Sequence, residues 1–401
     1  MTRRTPSRGE FVALMGMLTA TIALSVDTML PGLGAIADEL SPSDANKAQL
    51  IITSFVLGMG MGTFFMGPLA DRFGRKPVLL AGAGLYVIAC IWAYLAQSLE
   101  SVLVARVAQG IGASGPRVIV TTLVRDLYKG RDMAKITSLV MIVFTLMPAV
   151  APSLGAVIIN LAGWREIFLA FVVFAFMSSA WFMARMPETL LPENQRSLRF
   201  RRLKEALSEI FSNPMIRLCV MVQALCYTVL FAMISSAHQV FADVFDREAS
   251  FPAWFALVAL LAGSASILNA SLVQRLGMLT LIKATLNVLI VITAAVLIST
   301  FAGLSVQTSF YIFLIWMTSI FFQAGMTLGN LVALSMGPLG HIAGTASSAI
   351  TAVATITSVV LAVPIGLAFN GTLIPLLLGI LGSIIVARVL MGRVDAGFDK
   401  A

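Results

Sequence analysis

The sequence predicts an all-α integral membrane protein whose twelve transmembrane helices form two six-helix bundles. Of its 401 residues, 59% are hydrophobic and only 11% are charged, whereas about 25% of the residues of a soluble protein are charged. The mean hydropathy is +0.94, and the chain contains twelve apolar runs, each close to the roughly 20 residues that cross a bilayer. Twelve spans use about 240 residues, so the loops are short and no separate soluble domain is expected.

The twelve predicted spans fall into two sets of six, separated by a basic stretch at 196–204. The first set covers residues 11–33, 50–69, 78–95, 102–124, 136–161 and 167–183, and the second covers 216–240, 254–273, 279–299, 310–334, 343–369 and 373–390. This order predicts an N-terminal six-helix bundle over 1–185, a cytoplasmic linker over 186–213 and a C-terminal six-helix bundle over 214–401.

The distribution of the 27 Lys and Arg residues predicts the orientation of the chain. Only Lys47, Arg165 and Arg247 lie in loops predicted to be outside, and Arg106 and Arg117 lie within a span. The remaining cations lie at or near one side, which is the cytoplasmic side under the positive-inside rule. We therefore expect a multi-pass protein of the inner membrane with both termini in the cytoplasm. The net charge of +8 is explained by contact with the bilayer, and no nucleic-acid partner is expected.

An internal repeat supports the two-bundle plan. The stretch 272–277, Leu-Val-Gln-Arg-Leu-Gly, echoes 69–74, Leu-Ala-Asp-Arg-Phe-Gly, about half the chain earlier. Two similar halves related by an axis along the membrane normal are one known plan for secondary transporters. The second copy has Gln274 where the first has Asp71, so only the first copy carries the acid.

The stretch 67–76, Gly-Pro-Leu-Ala-Asp-Arg-Phe-Gly-Arg-Lys, joins two apolar runs and predicts a tight polar loop on the cytoplasmic side. Glycine at position 74 allows the backbone to reverse. The pattern resembles the signature loop between helices 2 and 3 of the major facilitator superfamily. The matching charged and glycine positions are Gly67, Asp71, Arg72, Gly74, Arg75 and Lys76. The resemblance implies a fold of the major facilitator type.

The same resemblance implies that these residues form a cytoplasmic gate. Asp71 is expected to accept hydrogen bonds from the free amides that open span eleven, near 340–344, where the helix dipole favours an anion. Arg75 is expected to pair with Asp126, which follows span four. These contacts are expected to form when the inner side is closed and to break when it opens.

Asp27 in the first span is the candidate proton-coupling residue. It is the only one of the 19 acidic residues that is predicted to lie well inside a span, where an Asp costs roughly 2.5–3.5 kcal/mol. Pro31 cannot donate a hydrogen bond to the carbonyl of Asp27, so the helix is expected to open beside the acid. Binding of a proton or another cation is one interpretation. An acid that is merely solvated near the outer interface is the other.

The fourth span carries three polar residues that are candidates for a substrate cavity. Arg106 and Gln109 share a helical face, and the Arg-x-x-Gln-Gly order resembles the pattern of helix 4 in the same superfamily. Arg106 is either a structural partner of backbone carbonyls or a coupling residue. Arg117 is either the partner of Asp27 or part of a site for an anionic substrate. Glycines in this span are expected to let neighbouring helices approach closely.

The fifth span contains Pro148 and Pro152, followed by Gly155 and Ala156. Ala-Pro-x-x-Gly-Ala at 151–156 is a degenerate form of the Gly-Pro-x-x-Gly-Gly core found in helix 5 of antiporters. The resemblance implies antiport and places both prolines beside the substrate cavity. A kinked, closely packed helix without directional meaning is the alternative.

Two stretches resemble the bicyclomycin-resistance (Bcr/CflA) group of drug:proton antiporters within the superfamily. They are 27–31, Asp-Thr-Met-Leu-Pro, and 340–347, Gly-His-Ile-Ala-Gly-Thr-Ala-Ser. The resemblance implies a proton-coupled secondary transporter that exports small amphipathic or drug-like compounds by alternating access. Its expected partners are protons and a small-molecule substrate, and a monomer is expected to be functional. Proton-coupled uptake, or export of a single metabolite, is the alternative within transport.

The sequence offers little for other functions. It has no Gly-x-x-x-x-Gly-Lys nucleotide loop and no metal-ligand or nucleophile constellation, so neither an enzyme nor a bound cofactor or metal is expected. Its three cysteines, Cys90, Cys219 and Cys226, all lie in apolar runs. His238 and His341 are interpreted as hydrogen-bonding residues at the interfaces. A membrane-embedded sensor or enzyme remains the alternative from another class.

Overall fold

The structure is a computed structural model that describes residues 6–190, 193, 195, 207–208 and 210–394, without the side chains of residues 134 and 340–343. Twelve long helices and no strand occur within this part of the chain. The helices are α1 Arg8–Asp27, α2 Leu50–Phe73, α3 Arg75–Leu95, α4 Leu99–Leu127, α5 Gly130–Ala162, α6 Glu166–Arg185, α7 Pro214–Gln239, α8 Phe251–Leu276, α9 Met278–Ser299, α10 Val306–Met336, α11 Ala343–Leu367 and α12 Ile374–Gly392. The basic stretch 196–204 of the predicted linker lies outside the described residues.

Eleven helical segments in the described chain are long and apolar enough to cross a membrane. The remaining helix, α4, has 29 residues and is therefore also long enough, at about 1.5 Å per residue. Its hydropathy is lower because it carries polar side chains such as Arg106, Gln109 and Arg117. The predicted fold class, an all-α integral membrane protein with twelve spanning helices, is confirmed, and the chain is a multi-pass membrane protein.

The chain divides into two compact units. The first unit comprises Met1–Pro42 and Ser54–Leu203, and the second comprises Ser43–Thr53 and Lys204–Ala401. In the first unit α1 packs against α5 and α6, and α3 packs against α4 and α6. A cluster of fully or nearly fully buried side chains, including Leu79, Val120 and Phe182, forms part of its core.

In the second unit α7 packs against α10, α11 and α12, while α10 also packs against α8 and α9. A cluster of aromatic side chains follows the end of α7. Its central ring, Phe241, makes edge contacts with Phe251, Phe310 and Phe313. Offset and edge-to-face ring contacts of this kind add to the stabilisation that burial alone provides.

The segment Ser43–Thr53, which includes the start of α2, belongs to the second unit and forms hydrogen bonds within it. Asn46 donates to the carbonyl oxygens of Leu367 and Phe369 at 3.1 and 2.7 Å. Gln49 donates to the side-chain oxygen of Gln239 at 2.6 Å. No local feature of the sequence indicates that this segment groups with the second unit, and the predicted bundle boundaries on either side of 186–213 stay predictions.

The first predicted span, 11–33, is not one continuous helix. Helix α1 ends at Asp27, and a 3-10 turn, Leu30–Gly32, leads into a short helix, Leu33–Leu40. The break lies where Pro31 lacks the amide that the Asp27 carbonyl needs. The predicted local opening beside Asp27 is therefore present.

The connection between α2 and α3 is much shorter than the loop predicted over 67–76. Helix α2 continues through Asp71 and Arg72 to Phe73, and α3 begins at Arg75. Gly74 alone is non-helical, with a φ of +103°. The prediction of a ten-residue loop was wrong because one glycine in this conformation is enough to reverse the chain.

Candidate functional site

Asp27 lies at the end of α1, and its carboxylate is buried. The residue is 5% exposed, and its carboxylate has neither a hydrogen bond nor an ion pair among the described residues. It is therefore not a solvated surface acid in this structure. Burying an ionised carboxylate without a partner is costly.

Arg106 on α4 anchors the backbone of α1 near Asp27. Arg106 is 0% exposed. Its guanidinium donates to the carbonyl oxygen of Ser25 at 2.8 Å and to Gln109 Oε1 at 2.6 Å. The guanidinium also lies 4.6 Å from the ring centroid of Phe55. Arg106 therefore holds the backbone of α1 two residues before Asp27.

A chain of polar contacts extends this anchor to α3. Gln109 donates to the sulfur of Cys90 at 3.0 Å, and the hydroxyl groups of Ser25 and Tyr86 lie 2.7 Å apart. The cluster links α1, α3 and α4 within the first unit. Sequence analysis identified Arg106 and Gln109 but missed Ser25 and Tyr86, because a single Ser or Tyr in an apolar run has no distinguishing pattern.

Glycines of α4 bring its neighbours into backbone contact, as predicted. A Cβ atom at Gly110 would lie 2.1 Å from the carbonyl oxygen of Phe55 on α2, and one at Gly112 would lie 2.6 Å from the carbonyl oxygen of Gly82 on α3. These distances are shorter than any real Cβ contact. The crossing of α4 with α2 and α3 therefore requires residues without side chains at these positions.

Helix α5 approaches α1 in the same way, directly beside Asp27. A Cβ atom at Gly155 would lie 2.1 Å from the carbonyl oxygen of Thr28. Pro152, one turn earlier on α5, is buried, whereas Pro148 is half-buried. The degenerate helix 5 motif thus lies against the break in α1, and its glycine is what permits the contact.

The second part of the candidate site lies at the turn between α2 and α3. Arg75 is 6% exposed and forms ion pairs with Asp71 at 2.7 Å and with Asp126 at 3.4 Å. The pairing of Arg75 with Asp126 that the resemblance implied is present in the structure. A buried arginine that contacts two carboxylates is held by both, and only removal of both would leave its charge without compensation.

Glu188, after the end of α6, closes this turn from the other side. Its carboxylate accepts hydrogen bonds from the backbone amides of Arg75 and Lys76, each at 3.0 Å. Lys76 in turn donates to the carbonyl oxygens of Met183 and Met186, each at 2.7 Å. An anion at the free amides of a helix start is favoured by the helix dipole. Glu188 therefore caps α3.

Gly74 also makes room for this cap. A Cβ atom at Gly74 would lie 2.6 Å from Glu188 Oε2, so a side chain there would displace this carboxylate, and the positive φ also favours glycine. Sequence analysis did not identify Glu188 as the cap of α3. Its position in Met-Pro-Glu-Thr-Leu after span six was the available signal, but nothing in that stretch indicates which helix the acid reaches.

Three further predicted site residues, Arg117, Gly67 and Arg72, lie outside the contacts described above. Arg117 is half-buried on α4 and forms no ion pair with Asp27 in the described part of the chain. Gly67 lies within α2, and Arg72 is exposed at its last turn. No group of three or more His, Cys, Asp or Glu side chains within the described residues could hold a metal ion.

Comparison with known proteins places the chain in a family. A family model described as Major Facilitator Superfamily matches residues 11–363. The uncharacterised MFS-type transporter YdgK of Bacillus subtilis (strain 168) is 28% identical over 341 residues, which are 84% of this chain and 83% of that protein. The bicyclomycin resistance protein homolog of Haemophilus influenzae is 27% identical over 279 residues, covering 69% of this chain and 70% of that protein.

A solved structure shares the fold over the full chain. The crystal structure of a D-xylose-proton symporter superposes with a TM-score of 0.77 at 16% sequence identity, covering 98% of this chain and 99% of that one. At this identity the similarity concerns the fold alone. Together with the family match, it identifies a non-enzymatic transport fold rather than an enzyme.

Proposed function

Because the chain belongs to the Major Facilitator Superfamily and is a secondary transporter for a small molecule, we propose that it exports small amphipathic or drug-like compounds in exchange for protons. The observation that carries the proposal is Asp27, a 5% exposed carboxylate without a hydrogen bond or ion pair among the described residues. Such a group can bind a proton and release it when the surroundings change. The similarity to a bicyclomycin resistance protein homolog supports a drug-like substrate.

Alternating access supplies the change in surroundings. Asp27 lies at a helix break that is held by the Arg106 contact to Ser25 and by the close approach of Gly155 to Thr28. Movement of α4 or α5 therefore moves the backbone beside the acid. The positive-inside distribution supports an orientation in the inner membrane with both termini cytoplasmic.

The experiment for this function is drug susceptibility in an efflux-deficient bacterial host that expresses the chain, with bicyclomycin in the panel. One proton and one pH unit sustain a gradient of roughly tenfold for a neutral compound. The membrane potential adds to this gradient, so we expect the inhibitory concentration of at least one compound to rise by about tenfold or more. In energised everted vesicles the same compound should accumulate. Depletion would instead indicate uptake, and no gradient-dependent flux would refute transport.

The inner turn supports a gate, and its test uses Asp71→Asn and Arg75→Ala. Both changes remove the 2.7 Å ion pair between these residues, which is part of the network that includes Asp126. We expect transport in vesicles to fall several-fold while the amount of inserted protein stays unchanged. Asp38→Asn, at an exposed acid outside the network, is the matched control. Normal transport rates in both gate variants would remove the gating role.

A further inference from the structure

Three buried side chains of the second unit have polar atoms without a hydrogen-bond partner among the described residues. Among the described residues, six buried side-chain polar atoms have no hydrogen-bond partner, and four of them belong to Gln223, Gln323 and Thr355. These residues are 0%, 1% and 1% exposed. Buried polar groups are nearly always hydrogen-bonded in folded proteins, and each exception calls for an explanation.

Two of these side chains, Gln223 on α7 and Gln323 on α10, lie on helix faces that pack against each other. Gln223 and Cys226, three residues apart on α7, share a helical face. Cys226 interacts with the side chains of Gln323 and Thr327 on α10. The Nε2 atom of Gln323 donates to Thr327 at 2.6 Å, but its Oε1 atom has no partner in the described chain. Gln223 therefore lies on the α7 face that packs toward α10.

Helix α11 brings the third side chain to a similar depth. Thr228 on α7 donates to the carbonyl oxygen of Ser358 at 3.4 Å, and Thr355 lies one turn before Ser358 on α11. At about 1.5 Å per residue, Gln223 is ~14 Å along α7 and Thr355 is ~18 Å along α11. Both residues therefore lie in the middle third of their helices.

A matched residue in the first unit shows how a glutamine is satisfied when it is structural. Gln109 is 0% exposed, like Gln223. Its Oε1 atom accepts from Arg106 and its Nε2 atom donates to Cys90. Gln223 has neither contact: both of its amide atoms are without partners among the described residues.

We infer that Gln223, Gln323 and Thr355 form a subsite that hydrogen-bonds a neutral amide or hydroxyl group of the transported compound. The inference rests on the proposed transport function. The unsatisfied atoms comprise one amide donor, two amide acceptors and one hydroxyl, and none of these groups is charged. A ligand group with both a donor and an acceptor complements them, whereas an ion would lack a counter-charge from these three residues.

This assignment also explains why the unsatisfied atoms are tolerated. A polar site that hydrogen-bonds its ligand discriminates strongly against analogues that lack the matching group. Its groups are unpaired only while the ligand is absent. The residues would thus be retained for recognition, at a cost in the stability of the empty protein.

The test compares Gln223→Met with Gln109→Met in the purified full-length protein. Methionine has a similar volume but no strong hydrogen-bonding group. We expect Gln223→Met to raise Tm by a few degrees, because it replaces unsatisfied polar atoms. Gln109→Met should lower Tm, because it removes one hydrogen-bond partner from Arg106 and one from Cys90. Thr355→Val provides a second variant of the subsite.

Ligand recognition is measured with a panel of aromatic carboxamides, each paired with the isopropenyl compound of the same shape. Binding of each compound is measured in detergent, where no proton gradient exists. Protein-free micelles give the background. We expect the wild type to prefer at least one carboxamide by about tenfold, as two hydrogen bonds provide. Gln223→Met and Thr355→Val should reduce that preference while binding of the isopropenyl compound stays unchanged.

A lower Tm for Gln223→Met, of the size seen for Gln109→Met, would overturn the inference, because it would show that the amide is structurally satisfied. No preference for any carboxamide in the wild type, or a preference that both variants retain, would overturn it as well. Either result with drug export intact leaves the proposed function standing. Loss of export with the amide preference intact counts against the proposed function alone.

Discussion

Replacing Asp27 with Asn is expected to abolish gradient-driven export. Asparagine keeps the size of the side chain and its buried position but removes the group that can carry a proton. The outward gradient of roughly tenfold that one proton and one pH unit sustain should therefore fall to equality. The measurement is steady-state accumulation of a substrate in energised everted vesicles.

Proton release from the purified protein separates loss of coupling from loss of binding. Addition of substrate to the wild type should release protons over the pH range in which Asp27 is protonated. Asp27→Asn should release none, while a neutral substrate should still bind. Because the buried carboxylate has no partner among the described residues, its neutral replacement is not expected to destabilise the fold.

Asp38→Asn is the matched control, because it removes an exposed acid from the short helix Leu33–Leu40 that follows the break beside Asp27. It should export and release protons as the wild type does. Normal export and normal proton release in Asp27→Asn would place the coupling site elsewhere. His238, which is 2% exposed and lies 3.4 Å from Glu248, would then be the next residue to test.

Gly155→Ala is expected to have the second large effect, although it adds only one methyl group. That group would lie 2.1 Å from the carbonyl oxygen of Thr28 and 3.0 Å from its carbonyl carbon. Both atoms belong to the backbone, so α1 and α5 must move apart at the break beside Asp27. Overpacking of this kind costs typically 1–3 kcal/mol. We expect a lower Tm and a loss of transport of at least about tenfold.

Gly84→Ala is the control for this substitution. Gly84 lies on α3 in the same unit, and a Cβ atom there would contact nothing within 4 Å. Alanine is favoured over glycine in a helix by about 1 kcal/mol, so this variant should be at least as stable as the wild type. If Gly155→Ala were equally stable and transported at the normal rate, the close contact between α5 and the α1 break would have no functional role.

Local features of the chain determined much of the fold. The twelve apolar runs determined the spanning helices, and Pro31 determined the break beside Asp27, because each of these depends on residues adjacent in sequence. Gly74 likewise determined the reversal between α2 and α3, although the extent of that connection was overestimated. Asp27 and Arg106 could be identified from sequence, because charged residues within an apolar span are rare.

Only the tertiary structure decided what these residues contact. Arg106 donates to the Ser25 carbonyl and makes no ion pair with Asp27, and Glu188 reaches the start of α3 across more than a hundred residues of sequence. The unsatisfied amide of Gln223 is equally invisible in a pattern of residue types. Periodicity and composition record how a residue relates to its neighbours along one helix. Whether a buried polar group finds a partner depends on which other helices pack against it, and that is settled only when the whole unit folds.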